Sequence, residues 1–360
     1  MSNHTIPKLP LSDIEALETR AVLKKTAEAH RYLAELKGVA ATIPNEAILI
    51  NTLSLQEAKD SSEIENIVTT HDELYKASLL TEAAVTPATK EVQDYAYALR
   101  EGFAVVRRQK VIRLGDILTV QQHLERNNAG LRRLPGTDLK NARTGAVVYT
   151  PPQHAEEIEL LMANLVEYIN DNDLCDADPL VKMAIIHHQF ESIHPFYDGN
   201  GRTGRILNIL YLVAQDLLNL PVLYLSRYFI RNKGGYYHQL QQVRDTGDWE
   251  PWLIYMLDGV IDTAQATITL IQQMKQLMGA YKHRMRDELP KIYRQELLNN
   301  LFKHPYTKIE YVVEDLDVTR ITATKYLDQL VEYGFLIKEK VGRSNYYINQ
   351  SLCALLIEQA

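Results

Sequence analysis

Residues 194–205 read HPFYDGNGRTGR, and this stretch decides how the rest of the chain is interpreted. The Gly-Asn-Gly turn at 199–201 can bend the backbone so that successive N–H groups converge into a nest for anions. A helix is predicted to start just after the turn, with its positive end directed at the same place. Arg202 and Arg205, three positions apart on that first turn, would place two guanidinium groups beside the nest. The stretch therefore predicts a polyphosphate site.

Two other side chains of this stretch suggest chemistry. Asp198 is an acid within a positive cluster, and it is most simply explained as a ligand for the Mg²⁺ that accompanies nucleotide phosphates. His194 stands at the mouth of the loop, where a histidine with a pKa near neutrality could take a proton from an attacking hydroxyl. Each feature alone is common in turns and surface ion pairs. Their combination within one short loop between two helices favours a functional site over packing.

Composition limits the class of protein. The chain has 360 residues, of which 46% are hydrophobic and 24% charged, so we expect a soluble protein of two or three domains. Its formal charge of −7 argues against a generally basic nucleic-acid-binding protein. Cys175 and Cys353 follow no metal or redox spacing, which favours reduced thiols in a cytoplasmic protein. We expect no membrane partner, because the N-terminus lacks a signal-peptide core and no apolar run could span a bilayer.

Helical patterns dominate, so the predicted fold class is mainly α, in three parts. Residues 1–88 form an N-terminal helical region, and residues 89–289 form a central domain with a long C-terminal helix. Residues 290–360 read helix, turn, helix and two short strands, the order of a winged helix-turn-helix. Within the central domain, residues 179–193 are apolar nearly all round and predict a buried helix. Residues 145–152, GAVVYTPP, predict a small hairpin or flap that ends at the paired prolines.

At every specified position, HPFYDGNGRTGR resembles the Fic motif, H-P-F-x-[D/E]-G-N-G-R-x-x-R. The resemblance implies a Fic-type helical core and protein adenylylation, in which AMP moves from ATP to a Ser, Thr or Tyr hydroxyl of a target protein and pyrophosphate is released. It assigns His194 as the general base and Asp198 as the Mg²⁺ ligand. The residues that would bind the ATP phosphates are Gly199, Asn200, Gly201, Arg202, Thr203, Gly204 and Arg205.

Two flanking segments extend this resemblance. The flap resembles the Fic hairpin that aligns the target by strand pairing, and its residues would be Val147, Val148 and Tyr149. Residues 234–249 resemble the adenine-side helix, with Tyr236 and Tyr237 as aromatic contacts, although ordinary packing would also explain both tyrosines. Arg244 stands seven positions after Tyr237, where some relatives carry an asparagine. Whether this position contacts the adenine or the ribose therefore stays open.

Residues 61–66, SSEIEN, allow two interpretations. Ser62 and Glu65 fit a capping box at the start of a helix. Ser61, Glu65 and Asn66 also match the pattern [S/T]-x-x-x-E-[G/N], which resembles the inhibitory helix of many Fic proteins. The resemblance implies that Glu65 pairs with Arg205 and occupies the cation meant for the γ-phosphate. In some relatives the same glutamate positions water to remove AMP from the target.

Other functions stay open at this point. The phosphate motif does not read the base, so transfer of another nucleotide group is an alternative. A zinc site formed by His187, Glu191 and His194 is disfavoured because Pro195 ends the helix. Self-modification and homodimer formation are not decided by the sequence.

A nucleotide-sensing DNA-binding regulator is a further alternative, from a different class of protein. The predicted recognition helix and wing carry Thr319, Arg320, Thr322, Thr324, Lys325, Lys338, Lys340 and Arg343. Acidic residues are interspersed among them, so the surface is roughly neutral. Because DNA binding requires a basic surface, a protein-docking role is as consistent with this unit as DNA binding.

Overall fold

The computed structural model describes residues 6–77, 85–141, 144–341 and 344–358. Within them the chain is mainly helical with two small antiparallel sheets, which confirms the predicted fold class. The N-terminal helices are α1 (Ile14–Leu17), α2 (Arg20–Ala40), α3 (Glu46–Ile64) and α4 (His71–Ala77). The central elements are α5 (Pro87–Gln109), α6 (Leu114–Glu125), β1 (Leu139–Lys140), β2 (Val147–Tyr149), α7 (Ala155–Asn170), α8 (Pro179–Ile193), α9 (Asn200–Ala214), α10 (Leu225–Arg231), α11 (Lys233–Thr246) and α12 (Glu250–Glu288). The C-terminal elements are α13 (Gln295–Lys303), β3 (Tyr306–Thr307), α14 (Ile309–Leu316), α15 (Arg320–Glu332), β4 (Ile337–Val341), β5 (Ser344–Ile348) and α16 (Gln350–Glu358).

Helix α8 lies at the centre of the molecule, as predicted. Every residue from Leu180 to Ile193 is buried, and α7, α9 and α12 pack around it. The Asp178 side chain caps its N-terminus by accepting a hydrogen bond from the Leu180 N–H. The helix ends at His194, whose backbone adopts a left-handed φ of 49°. A buried helix therefore delivers His194 to a fixed position at the start of the loop.

Helix α12 is the longest element, and it packs against α2, α8 and α10. Its stripe of Met274, Met278 and Met285 is buried within the chain. This burial supports core packing as the role of the stripe. None of the helices in the described ranges combines the length and apolar character needed to cross a membrane.

The segment 61–66 closes a helix, so the capping-box interpretation, which placed a helix start here, is wrong. Helix α3 runs to Ile64, and Glu65 is its C-cap. The two N–H groups that follow donate back to carbonyls of the last helical turn at 3.0 Å, in the pattern of a Schellman motif. Asn66 supplies the left-handed residue that this motif requires, with φ at 66°. Glu65 is therefore held at the helix end with its side chain free of capping duty.

The flap consists of β1 and β2, which pair antiparallel. The C-terminal sheet has the order β3-β5-β4 and lies beside α13 and α15. The predicted wing turn at residues 342–343, including Arg343, lies outside the described residues. Two of the basic side chains considered for DNA binding pair with acids, Arg320 with Glu310 and Lys338 with Asp328.

The C-terminal unit packs against α3, the helix that ends at Glu65. The buried Gln56 side chain donates to the Leu356 carbonyl at 2.7 Å. Helix α13 also packs against α3, and in the following helix α4 the ring of Tyr75 stacks on that of Tyr306 with centroids 5.5 Å apart. Helix α3 is therefore held between the central helices and the C-terminal unit.

Candidate active site

The loop between α8 and α9 is fixed by one of its own side chains. Asn200 is buried; its Oδ1 accepts from the Phe196 N–H and its Nδ2 donates to the Phe196 carbonyl, each at 2.8 Å. Gly199 is the N-cap of α9 with a left-handed φ of 76°, and no described side chain caps this helix. The first N–H groups of α9 can therefore bind an anion, as the nest predicts. Because the Asn200 side chain is bonded to Phe196, only the backbone N–H of Asn200 can bind the anion.

We call the backbone of residues 199–202, with the side chains of Arg202 and Arg205, the phosphate cradle. Two carboxylates lie directly over its glycines. A Cβ added at Gly201 would lie 2.5 Å from Glu65 Oε1, and a Cβ at Gly199 would lie 2.5 Å from Glu125 Oε1. Glycine at both positions therefore allows an anionic group to approach the backbone closely.

Arg205 is buried and held by the last turn of α3. Its Nη2 donates to Glu65 Oε1 at 2.6 Å, and its Nε donates to Ser61 Oγ at 2.7 Å. Nη2 also donates to the Ser61 carbonyl at 3.0 Å. The structure thus contains the ion pair that the inhibitory pattern predicts, with Ser61 as a second contact on the same guanidinium.

Arg202 contacts three carboxylates at once. Its Nε lies 3.0 Å from Glu65 Oε2, its Nη2 lies 2.7 Å from Glu125 Oε1, and its Nη1 lies 3.2 Å from Glu91 Oε2. Asp198 is a further 4.0 Å contact. Burial raises the pKa of Glu125, although the positive charge of Arg202 opposes the shift. No sequence spacing connects Glu91 or Glu125 with the motif, so neither is predictable from it.

Asp198 presents an exposed carboxylate at the edge of the cradle. Its side chain is 76% exposed, and Oδ1 accepts the Gly199 N–H at 2.7 Å. This arrangement suits Mg²⁺, which commonly binds one or two carboxylates together with substrate phosphates and water. Within the described residues no group of three His, Cys, Asp or Glu side chains could hold a metal by itself. The zinc alternative at His187 therefore has no support.

The environment of His194 shifts the pKa of its imidazole. Burial, together with the nearby charges of Arg132 and Arg244, lowers its pKa to about 4. The expectation of a pKa near neutrality is therefore corrected. Above about pH 4 the imidazole is therefore largely unprotonated and can accept a proton.

Arg132 joins the His194 loop to the end of the flap segment. The side chain is fully buried, and its Nε donates to the His194 carbonyl at 2.7 Å. Its Nη2 donates to the Ile193 carbonyl at 3.3 Å and to the Pro152 carbonyl at 2.5 Å. No motif in the sequence indicates this role.

Helix α11 places Arg244 against the flap. The Arg244 guanidinium lies 4.0 Å from the centre of the Tyr149 ring, and its Nε donates to Ser192 Oγ at 3.1 Å. Arg244, the position that the resemblance connected with the nucleotide, thus contacts the flap and the end of α8. Of the predicted flap residues, Tyr149 is buried, whereas Val147 and Val148 are exposed.

The two tyrosines predicted on the adenine side have different environments. Tyr236 is 1% exposed and hydrogen-bonds through its hydroxyl to His187 Nε2 at 2.8 Å, so it packs in the core. Tyr237 is 49% exposed and is the member of the pair that a nucleotide could contact.

Gly204 lies where α9 packs closely against α8, because a Cβ there would lie 2.9 Å from Glu191 on α8. Thr203 beside it is buried.

Family models match three successive parts of the chain. "Fic/DOC family N-terminal" matches residues 23–104, "Fic/DOC family" matches residues 110–212, and "Protein adenylyltransferase SoFic-like, C-terminal domain" matches residues 277–352. The chain belongs to the Fic/DOC family. The second of these matches contains the whole phosphate cradle together with Glu125 and Arg132.

Curated relatives of this Fic/DOC protein carry the name protein adenylyltransferase. The Caenorhabditis elegans protein adenylyltransferase fic-1 is 29% identical over 146 residues, which is 39% of this chain and 27% of the relative. A probable protein adenylyltransferase from Aquifex aeolicus is 27% identical over 202 residues, or 54% of this chain and 57% of the relative. The chain thus spans less than two thirds of the length of these relatives.

Solved structures of Fic proteins share the fold. A Fic family protein from Desulfovibrio desulfuricans G20 is similar with a TM-score of 0.59 at 20% identity, over 92% of this chain and 96% of that chain. A structure of Fic-1 from C. elegans gives a TM-score of 0.54 at 20% identity, over 72% of this chain and 76% of that chain. At these identities the similarity establishes the fold.

Proposed function

We propose that the protein is a protein adenylyltransferase that moves AMP from ATP to a Ser, Thr or Tyr hydroxyl of a target protein, and that Glu65 holds it in an autoinhibited state. One observation carries the proposal: the Glu65 carboxylate binds both arginines of the phosphate cradle, Arg205 at 2.6 Å and Arg202 at 3.0 Å. The phosphate cradle has the features of a polyphosphate site, and the protein's own carboxylate occupies its cations. This combination favours a nucleotide site whose occupancy is regulated.

In the proposed transfer step, His194, the phosphate cradle and Asp198 have different roles. Neutral His194 takes the proton of the target hydroxyl as its oxygen attacks the α-phosphorus of ATP. The bond from that phosphorus to the bridging oxygen breaks, and pyrophosphate leaves with the bond electrons. The cradle N–H groups, Arg202 and Arg205 would stabilise the charge on the phosphates. Asp198 would hold Mg²⁺, which supplies further charge neutralisation when it is bound with ATP.

Inhibition follows from charge competition. An arginine that is paired with Glu65 gains little binding free energy from a phosphate while the carboxylate stays, because two anions would share one cation. Both cradle arginines are nearly fully buried, so solvent screens this competition only weakly. Removal of Glu65 should therefore let the γ-phosphate reach Arg205 and should align the α-phosphate for attack.

Labelled ATP tests the proposal on cell lysate with the wild type, Glu65→Gly and His194→Ala side by side. We expect Glu65→Gly to raise AMP incorporation about tenfold or more, because both cradle arginines become free to bind phosphate. A tenfold change corresponds to roughly 1.4 kcal/mol. We expect His194→Ala to lower incorporation by roughly 10²–10⁴, the usual contribution of a general base.

Control reactions use labelled UTP and CDP-choline with the same variants. Label transfer from either of these but not from ATP would replace the AMP assignment with another donor. If no variant transfers label from any donor, the proposed activity is wrong. A Glu65→Gly variant no more active than the wild type would contradict the inhibitory role alone.

A further inference from the structure

The flap strand is anchored to the rest of the protein at a single described residue of β2. Tyr149 is the buried member of this strand, and its hydroxyl donates to the Ser192 carbonyl at 2.9 Å. Val147 and Val148 are exposed. Ser192 lies two positions before His194 in the last turn of α8. The position of the flap relative to the base therefore depends on the surroundings of Tyr149.

Arg244 completes this anchor from helix α11. Its guanidinium lies 4.0 Å from the centre of the Tyr149 ring, a distance at which a cation and an aromatic face attract each other. Its Nε donates to Ser192 Oγ at 3.1 Å. One side chain thus contacts both the flap strand and the helix turn that leads to His194.

The charge environment of Arg244 differs from that of an ordinary structural arginine. Its described hydrogen bonds reach Ser192 Oγ and Gln241 Oε1, and neither partner is a carboxylate. Burial lowers the pKa of the Arg244 guanidinium, although the nearby Tyr149 and Glu191 oppose the shift. The described contacts of Arg244 therefore fix it to the flap ring and to the end of α8 and not to an acidic side chain.

We propose that Arg244 is a positioning residue, which holds strand β2 in register with His194 so that a hydroxyl presented along the flap reaches the base. This inference rests on the proposed transfer function. It assigns to Arg244 a role on the target side of the site, whereas the resemblance had connected this position with the nucleotide.

The charge of Arg244 adds a second effect on the base. The groups that face His194 are the cations of Arg132 and Arg244, the carboxylate of Asp198, and the backbone of Glu191. Both cations disfavour the imidazolium, and Asp198 favours it. Arg244 thus helps to keep His194 unprotonated where the target hydroxyl arrives.

Two substitutions in the full chain separate these effects. Arg244→Lys keeps the charge but loses the planar stacking on Tyr149 and the Nε hydrogen bond, and Arg244→Gln also removes the charge. Amide hydrogen exchange of residues 147–149, followed by mass spectrometry, reports the flap without any need for activity. We expect both variants to exchange roughly tenfold faster than the wild type, because a cation–π contact and a charge-assisted hydrogen bond are lost.

NMR titration of the His194 imidazole reports the charge effect. We expect its pKa to rise above about 4 in Arg244→Gln, while burial and Arg132 keep it below the ordinary range, and to stay unchanged in Arg244→Lys. His238→Gln, on an exposed position of the same helix, is the control and should change neither readout. Unchanged flap exchange in both Arg244 variants overturns the positioning role, even if their melting temperatures fall.

A transfer assay connects the inference with activity. In the Glu65→Gly background, we expect Arg244→Lys to lower labelling of lysate proteins about tenfold while the Kd for ATP stays within about twofold of its parent. A weakened ATP affinity with normal flap exchange would place Arg244 on the nucleotide side and overturn the proposal. If no variant labels any protein, the proposed function fails, while hydrogen exchange still decides whether Arg244 positions the flap.

Discussion

The two arginines of α9 differ from the two arginines beside the flap in whether a carboxylate is among their partners. Arg202 and Arg205 both bind the Glu65 carboxylate, and Arg205 also binds Ser61. The described hydrogen bonds of Arg132 and Arg244 reach carbonyl, hydroxyl and amide oxygens. A carboxylate-bound guanidinium can exchange its partner for a phosphate, because both partners are anions with similar oxygen geometry. A guanidinium bound only to uncharged oxygens is part of the scaffold, since its departure leaves those oxygens unpaired. The comparison separates a switchable side of the site from a fixed side.

Loss of Arg132 should have the largest effect, and it should be an effect on stability. Arg132→Ala leaves the carbonyls of Ile193, His194 and Pro152 without their donor, at roughly 1–3 kcal/mol for each buried unpaired group. We expect urea unfolding to show a loss of at least about 3 kcal/mol. The neighbouring Arg133 has an exposed side chain, and Arg133→Ala should stay within about 0.5 kcal/mol of the wild type. Equal losses for the two variants would contradict the scaffold role.

Loss of Glu65 should act on binding, because its two partners belong to the switchable side. We expect calorimetry with Mg²⁺ and ATP to show a Kd about tenfold lower for Glu65→Gly than for the wild type, or about 1.4 kcal/mol. Glu63→Gly is the matched control, since it loosens the same helix end by roughly 1 kcal/mol while both arginines keep Glu65. Tighter ATP binding in the control would attribute the effect to helix loosening and not to the carboxylate.

The smallest effects should distinguish the other two acids on Arg202. Glu125 is 14% exposed and lies 2.7 Å from Nη2, whereas Glu91 is 43% exposed and lies 3.2 Å from Nη1. We expect Glu125→Gln to tighten ATP binding about threefold, because its carboxylate lies over Gly199 in the cradle. Glu91→Gln should change the Kd by less than about twofold, as is usual for an exposed ion pair. A larger effect at Glu91 would reverse the assigned order of the two acids.

The segment 61–66 shows how far local patterns reach. Its letters fit a helix start as well as a helix end, because serine and glutamate occur at both. The left-handed φ of Asn66 and the tertiary partners of Glu65 decide in favour of a helix end. Tyr236 and Tyr237 show the same limit, since adjacent letters of one type became a core residue and a surface residue.

By itself the sequence determined the buried helix, the glycine turn and the new helix that carries two arginines. These features depend on apolar periodicity, left-handed glycine and helix ends, which are properties of a few neighbouring residues. Apart from the Glu65–Arg205 pair, which the resemblance implied, only the tertiary structure decided which oxygens meet each guanidinium. Glu65, Glu91 and Glu125 reach Arg202 across 137, 111 and 77 positions from three different helices. Such contacts depend on how α3, α5 and α6 pack around α9, because ion pairing follows distance in space and no helical period connects these positions.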